Sequence, residues 1–365
     1  MARIDLVDLA HAYNGGTTHD DLVLKPTSMT WRQGGAYALL GPSGCGKTTL
    51  LNIISGIVRP SRGKVLFDGK DVGALTTQQR NIAQVFQFPV IYDTMTVGEN
   101  LAFPLKNRGL PRAEIEKRVG EIARLLDLEA YLGRRASRLS ADAKQKISLG
   151  RGLVRADVAA ILFDEPLTVI DPALKWELRS KLKTLHRALD LTMIYVTHDQ
   201  TEALTFADTV VVMHEGSVVQ TGTPEELFAR PEHTFVGYFI GSPGMNIVAG
   251  EVRGREAKIA GHTLALKRSY DSLPAGANIE VGIRPEFVSI APPRPDLLSA
   301  RLERIDDLGR TRFARVRVDD LRLAAAVPPG LTPDGEEVGL TFDPAQIHVY
   351  ADSRRVAPAP EGGAA

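Results

Sequence analysis

Gly41-Pro-Ser-Gly-Cys-Gly-Lys-Thr48 matches the pattern G-x-x-x-x-G-K-[ST], in which glycines let the backbone curl until successive N–H groups converge on phosphate oxygens. Lys47 would reach the β- and γ-phosphates of a bound nucleotide, and Thr48 would ligate Mg²⁺. The expected nucleotide-binding set is Gly41, Pro42, Ser43, Gly44, Cys45, Gly46, Lys47, Thr48 and Thr49. Cys45 is read as a small residue that exposes its backbone N–H, since no base is indicated beside it to make it a nucleophile.

Ile161-Leu-Phe-Asp-Glu165 is an apolar run that ends in two carboxylates. On a strand, it would deliver Asp164 and Glu165 to the carboxyl edge of a sheet, where α/β folds bind ligands. Asp164 would hold Mg²⁺ through water, and Glu165 is the candidate general base that polarises an attacking water. Met193-Ile-Tyr-Val-Thr-His-Asp199 repeats the pattern and brings His198 to the same edge. There it could contact the γ-phosphate and hold the water in line.

The elements that must position these groups follow from periodicity. Ala36–Leu40 reads as a strand entering the glycine-rich turn, and Thr48–Ser55 as a helix stopped by Gly56. That order sets the phosphates at the positive end of a helix. Ala159–Phe163 and Met193–Val196 are continuous apolar runs, as buried parallel strands require. Ala113–Leu128 and Pro172–Leu189 carry helical periodicity with charged faces. From about residue 236 the pattern changes to short β-like runs such as Ile279–Ile283, Arg312–Val318 and Ile347–Tyr350, which suggest a small barrel or sandwich. The expected organisation is an α/β nucleotide-binding domain over 1–235, an all-β domain over 236–351 and a disordered tail over 352–365.

Composition bounds the rest. The 365 residues suffice for two domains, and 44 basic against 44 acidic residues give no electrostatic argument for nucleic acid. The apolar runs are far short of the roughly 20 residues of a membrane helix. Asp5 and Asp8 stand where a signal peptide would be apolar, and a single cysteine excludes an intrachain disulfide. A reducing cytoplasm fits.

The phosphate loop, Val85-Phe-Gln87, Leu162-Phe-Asp-Glu-Pro166 and Thr197-His-Asp-Gln-Thr-Glu-Ala203 together resemble an ABC ATPase over residues 1 to about 235. The resemblance implies ATP and Mg²⁺ as cofactors. It makes Gln87 the residue that contacts Mg²⁺ and senses a membrane subunit, and Tyr13 the aromatic on which adenine stacks. Gly241-Ser-Pro-Gly-Met-Asn246 and Gly282-Ile-Arg-Pro-Glu286 resemble the OB-like extension of MalK-like importer ATPases for sugars and polyols. Such an importer implies a second ATPase subunit, two transmembrane permease subunits and an extracytoplasmic substrate-binding protein, with this chain peripheral on the cytoplasmic face of the membrane. In that family each ATP lies between one chain's phosphate loop and the other chain's signature motif.

The signature departs from the family. Where Leu-Ser-Gly-Gly-Gln is usual, the chain reads Leu139-Ser140-Ala141-Asp142-Ala143. Ala141 adds a Cβ where backbone approaches phosphate, and Asp142 brings a negative charge toward the triphosphate. At ~4 Å that repulsion is on the order of 1 kcal/mol in water and about 4 kcal/mol at an intermediate dielectric. Asp142 also favours its own helix through the dipole. The loop that usually reads Ser-Asn-Leu-Asp-Ala is Thr168-Val-Ile-Asp171-Pro172, which keeps Asp171.

Since a signature serves the opposite chain's nucleotide, the expectation is an asymmetric heterodimer. The altered signature resembles ATPases of glycerol-type importers that use two different ATPase subunits. A P-loop kinase or GTPase is disfavoured by the Gln87, Glu165 and His198 set. A nucleic-acid or ribosome remodeller is disfavoured by the single cassette and zero net charge. An ATP-binding regulatory subunit with little turnover stays open, with Glu165 against it.

Overall fold

The computed structural model describes residues 1–15, 21–155, 157–309 and 311–359. By its internal contacts the chain divides into two compact units, Met1–Pro224 and Glu225–Ala365.

In chain order the first unit runs β1 (Ile4–His11), β2 (Leu24–Trp31), β3 (Ala36–Leu40), α1 (Lys47–Ser55), β4 (Arg62–Phe67), β5 (Lys70–Asp71), β6 (Ala83–Val85), α2 (Val97–Lys106), α3 (Arg112–Leu125), α4 (Ala141–Leu153), β7 (Ile161–Asp164), α5 (Pro172–Leu189), β8 (Met193–Thr197), α6 (Gln200–Phe206), β9 (Thr209–His214) and β10 (Ser217–Gly222). These strands form an antiparallel sheet, β2-β1-β4-β5, and a six-stranded sheet, β10-β9-β3-β8-β7-β6. The larger sheet is parallel except for the β9–β10 hairpin. Its inner strands β3 and β8 are buried along their whole length, which is why their sequences are apolar without alternation. Leu39, Leu162, Ile194, Val196 and Val211 of this sheet share a core with Leu50, Leu51, Ile53 and Ile54 of α1.

Local chemistry sets the helix ends. Helix α1 is entered from Gly46 at φ 99° and left at Gly56 at φ 84°, whose N–H returns to the carbonyls of Asn52 and Ile53. Thr96 and Glu99 close a capping box on α2. Asp171 accepts from Ala173 N at 2.9 Å, and Pro172 occupies the first position of α5. Helix α2 packs on α3 and α4, and Gly150 on α4 leaves room for the Leu101 side chain.

Helix α7 (Pro224–Ala229) begins at the boundary, and the second unit goes on with α8 (Thr234–Phe239), β11 (Asn246–Ala249), β12 (Glu251–Ile259), β13 (His262–Tyr270), β14 (Ile279–Ile283), β15 (Val288–Ala291), β16 (Leu298–Asp307), β17 (Arg312–Val318), β18 (Leu321–Ala326), β19 (Glu337–Phe342), β20 (His348–Ala351) and β21 (Arg354–Arg355). Five strands, β15-β18-β17-β16-β19, close a barrel. The expected β-rich second domain is thus a barrel beside the sheet β11-β14-β20-β21 and the hairpin β12-β13. In the stretch that composition assigned to a disordered tail, Arg354–Arg355 pairs with β20 and Ala359 N donates to Ser269 O. Residues 360–365 lie outside the described residues. Among the described residues no helix is long and apolar enough to cross a membrane.

Arg284, from the quoted motif at the end of β14, is 2% exposed. Its guanidinium donates to the carbonyl oxygens of Phe228 at 2.8 Å and Gly237 at 3.2 Å, and also to that of Ile240. It also lies 4.1 Å from the Phe228 ring centroid. Burial lowers its pKa to about 10, so it remains charged at neutral pH. Arg284→Ala would leave these buried carbonyls without their donor. We expect a loss of about 3 kcal/mol in the stability of the second unit, read as a lower urea midpoint.

Candidate active site

Parallel pairing aligns three strand ends. Leu40 of β3 lies opposite Thr197 of β8, and Asp164 of β7 lies opposite Val196. The phosphate loop, the two carboxylates and His198 therefore leave one sheet edge together, as the run patterns required. Gln87 follows two residues after β6, whose Val85 pairs with Phe163 beside that edge.

Within the loop, Gly44 at φ 81° and Gly46 at φ 99° take left-handed conformations. Gly41 packs so closely that a Cβ would run into the carbonyl oxygen of Met213. The Lys47 ammonium donates to the Gly41 and Pro42 carbonyl oxygens at 2.8 and 2.9 Å. Its own loop thus holds it at the mouth of α1. Cys45 is buried and its thiol is pushed above the usual range by that burial, which fits a packing residue and not a nucleophile. Pro42 and Ser43 complete the turn.

Thr48 Oγ1 donates to Asp164 Oδ1 at 3.0 Å, which joins the loop to β7. Burial raises the Asp164 pKa, the Thr48 hydroxyl opposes this, Glu165 beside it raises it further, and Lys47 lowers it. Such a carboxylate gains from a nearby cation. One hydroxyl and one carboxylate, with nucleotide phosphates completing the shell, suit Mg²⁺. The oxygen chemistry of Thr48 and Asp164 therefore fits the expected ion.

Glu165 adopts φ +47°, a left-handed conformation that costs a non-glycine residue about 1–2 kcal/mol. Its N–H donates to Val196 O at 3.0 Å, and Thr168 Oγ1 donates to its carbonyl at 3.1 Å. Its Oε2 lies 3.0 Å from His198 Nδ1. The side chains of Glu165 and His198 are 18% and 54% exposed, so the carboxylate is sheltered while the ring faces outward. Tyr13 is 58% exposed and its hydroxyl lies 3.1 Å from Thr49 Oγ1, so its ring stands over the start of α1.

Three residues unassigned in the sequence reading hold this arrangement. Glu202 is buried, and its Oε2 accepts from Thr197 Oγ1 at 2.9 Å and Tyr195 OH at 3.1 Å. Asp199 caps α6 by accepting from the Thr201 and Glu202 amides. Together they fix the turn that carries His198. Gln145 of α4 is fully buried and donates to Pro166 O at 2.7 Å and Phe86 O at 3.4 Å. It ties α4 to the loops after β6 and β7. Nothing in the sequence marks it, since it stands between Lys144 and Lys146 and shares its helix face with Asp142 and Ser148.

Ser140 caps α4, its Oγ accepting from Ala143 N at 3.3 Å. Ala141 and Asp142 thus lie in the first turn, where a negative charge favours the helix. Asp142 Oδ1 is buried without a hydrogen-bond partner among the described residues. The helix-favouring reading of Asp142 has a geometric basis here.

Residues 24–168 match the ABC transporter family model, 241–288 the MalK OB fold domain and 281–350 the TOBE domain. The sequence is 38% identical over 339 residues to an sn-glycerol-3-phosphate import ATP-binding protein of Rhizobium johnstonii, covering 92% of each chain. It is 36% identical to a sulfoquinovosyl glycerol transport ATP-binding protein of Agrobacterium fabrum, covering 96% of this chain and 98% of that one. A solved structure of cbiO1 from Clostridium perfringens, described as part of an ABC transporter complex, superposes with a TM-score of 0.56 at 30% identity, covering 62% of this chain and 90% of that one.

The loop geometry separates two glycine substitutions. Gly41→Ala meets backbone and is expected to weaken nucleotide binding by roughly tenfold or more, a loss of about 1.4 kcal/mol. At Gly44 a Cβ meets open space, and only the positive φ, costing about 1–2 kcal/mol, opposes it. Nucleotide titration of the two variants, beside their unfolding midpoints, reads the difference: Gly41→Ala loses affinity, whereas Gly44→Ala mainly loses stability.

Proposed function

The chain belongs to the ATP-binding proteins of ABC transporters, and on that premise we propose that it hydrolyses ATP on Lys47, Asp164, Glu165 and His198 as one half of an unequal ATPase pair. Its activity is ATP hydrolysis coupled to import, and the importer group it falls in moves carbohydrates or glycerol phosphates. The solute we favour is a sugar or a small polyol of the glycerol type. Two relatives named for glycerol-bearing solutes support that choice.

The observation that carries the hydrolytic reading is the 3.0 Å approach of His198 Nδ1 to Glu165 Oε2 at the edge where the phosphate loop opens. Loop amides and Lys47 bind the β- and γ-phosphates, and the Tyr13 ring stacks on adenine. Thr48 and Asp164, with Gln87 from the neighbouring strand end, would hold Mg²⁺, which supplies charge neutralisation to the phosphate oxygens. Glu165 takes the proton of the attacking water as its oxygen bonds the γ-phosphorus and ADP leaves. With Nδ1 turned to Glu165, His198 offers Nε2 to the γ-phosphate and keeps the water in line.

Pairing with a second, different ATPase follows from what each half supplies. This chain keeps every group of its own phosphate site, yet offers a partner Ser140 followed by Ala141, Asp142 and Ala143 in place of two glycines and a glutamine. The site on this phosphate loop works against a partner with an intact signature, and the opposite site is weak. Asp171, at the cap of α5, belongs to the loop that would face the partner.

Docking to two permease subunits is supported by the loop after Gln87, where Phe88 and Val90 are 70% and 53% exposed. Val90 N donates to Ser148 Oγ at 3.2 Å, so this apolar loop is anchored on α4. A substrate-binding protein joins through the permeases. The chain is then peripheral, on the cytoplasmic face of the membrane.

Glu165→Gln keeps the shape of the site and removes the base. Turnover of the assembled transporter is expected to fall about 10²–10⁴-fold while ATP binding is retained. An unchanged rate rejects Glu165 as the base. Restoring the motif with Ala141→Gly, Asp142→Gly and Ala143→Gln is expected to raise ATPase activity of the chain alone. A rate that stays flat assigns the altered signature no part in the asymmetry.

A further inference from the structure

The second unit holds a cavity of about 340 Å³ whose wall receives cations from segments far apart in sequence: Arg230 after α7, Lys267 and Arg268 on β13, and Arg355 on β21. No carboxylate stands among its lining residues. In a chain with as many acidic as basic residues, that convergence concentrates positive potential in one concave place. Arg355 reaches Glu232 Oε1 through Nη2 at 2.5 Å, yet its Nε is buried without an acceptor among the described residues. A buried N–H without an acceptor is costly to the fold unless something supplies one.

His348 also lines the wall. Burial, then the charges of Arg355 and Arg284, lower its pKa to about 4, so its ring is neutral at physiological pH and responds to the same positive field. Leu266, Tyr270 and Ile347 complete the wall with apolar surface.

We propose that this cavity binds a small phosphate dianion, as inorganic phosphate or as the phosphoryl group of a small phosphomonoester. Guanidinium forks match phosphate oxygens in pairs, and a lysine adds a point charge. The volume lies at the low end of the roughly 300–1,000 Å³ of small-molecule sites. It takes a compact ligand and leaves no room for a polymer. The site is separate from the phosphate loop, and all its residues belong to the second unit.

The test is calorimetric titration of the full chain carrying Lys47→Ala, which removes the phosphate ligand of the first unit. Inorganic phosphate and sn-glycerol 3-phosphate are the two probes. Saturable binding is expected to survive in that background. It should weaken by roughly tenfold or more with Lys267→Ala plus Arg268→Ala, two exposed positions, and again with Arg230→Ala. Unfolding midpoints of the variants confirm that the fold is kept. Tighter binding of glycerol phosphate identifies a phosphomonoester ligand, and tighter binding of inorganic phosphate the free ion. Absence of binding by both probes in the Lys47→Ala chain, or binding indifferent to the three substitutions, overturns the proposal.

Discussion

The hydrogen bond from Thr48 Oγ1 to Asp164 Oδ1 links the two parts of the site that sequence order keeps 116 residues apart. It forms because β3 and β7 flank β8 in one parallel sheet, so the loop after β3 and the carboxylates after β7 must leave the same edge. Burial makes Asp164 a reluctant anion, and Thr48 and Lys47 are the groups that favour its charge. Much else in the first unit serves this edge. The left-handed glycines curl the loop, Glu165 bears an unfavourable backbone conformation beside it, and buried Glu202 fixes the turn of His198.

The proposed unequal pair turns on two parts of the same chain. Its phosphate loop, Asp164, Glu165 and His198 meet at one sheet edge, joined by hydrogen bonds such as that of Thr48 to Asp164 and the approach of His198 to Glu165. The start of α4, by contrast, is organised for the helix itself, with Ser140 as cap and Asp142 at the positive end. Two glycines would favour close approach of backbone to another chain's nucleotide, whereas Ala141 and Asp142 favour the helix and oppose a phosphate. The proposed asymmetry of the pair rests on that division. Gln145, buried between the loops after β6 and β7, ties α4 to both of them.

Much of this was legible in the residues. The strands β3, β7 and β8 announced themselves as apolar runs without alternation, because both faces of a parallel sheet are covered. Gly56 marked the end of α1, where the chain takes a positive φ. The barrel was readable only as a class. Its closure depends on pairings such as β15 with β19, which join residues far apart and leave no local pattern. Arg354–Arg355 was read as part of a disordered tail, yet partner strand β20 holds it in a sheet. Gln145 and Arg355 were missed for a related reason: a buried polar side chain is defined by what surrounds it, and the sequence around each is ordinary.

Steady-state ATP turnover of this chain alone, against the same chain mixed with a second ATPase subunit that carries an intact Leu-Ser-Gly-Gly-Gln signature, tests the unequal pair most directly. The account predicts little turnover by the lone chain and a rate that rises with the partner until the two are equimolar. Vigorous turnover by the lone chain, unchanged on mixing, would contradict it, since two copies of the altered signature would then suffice.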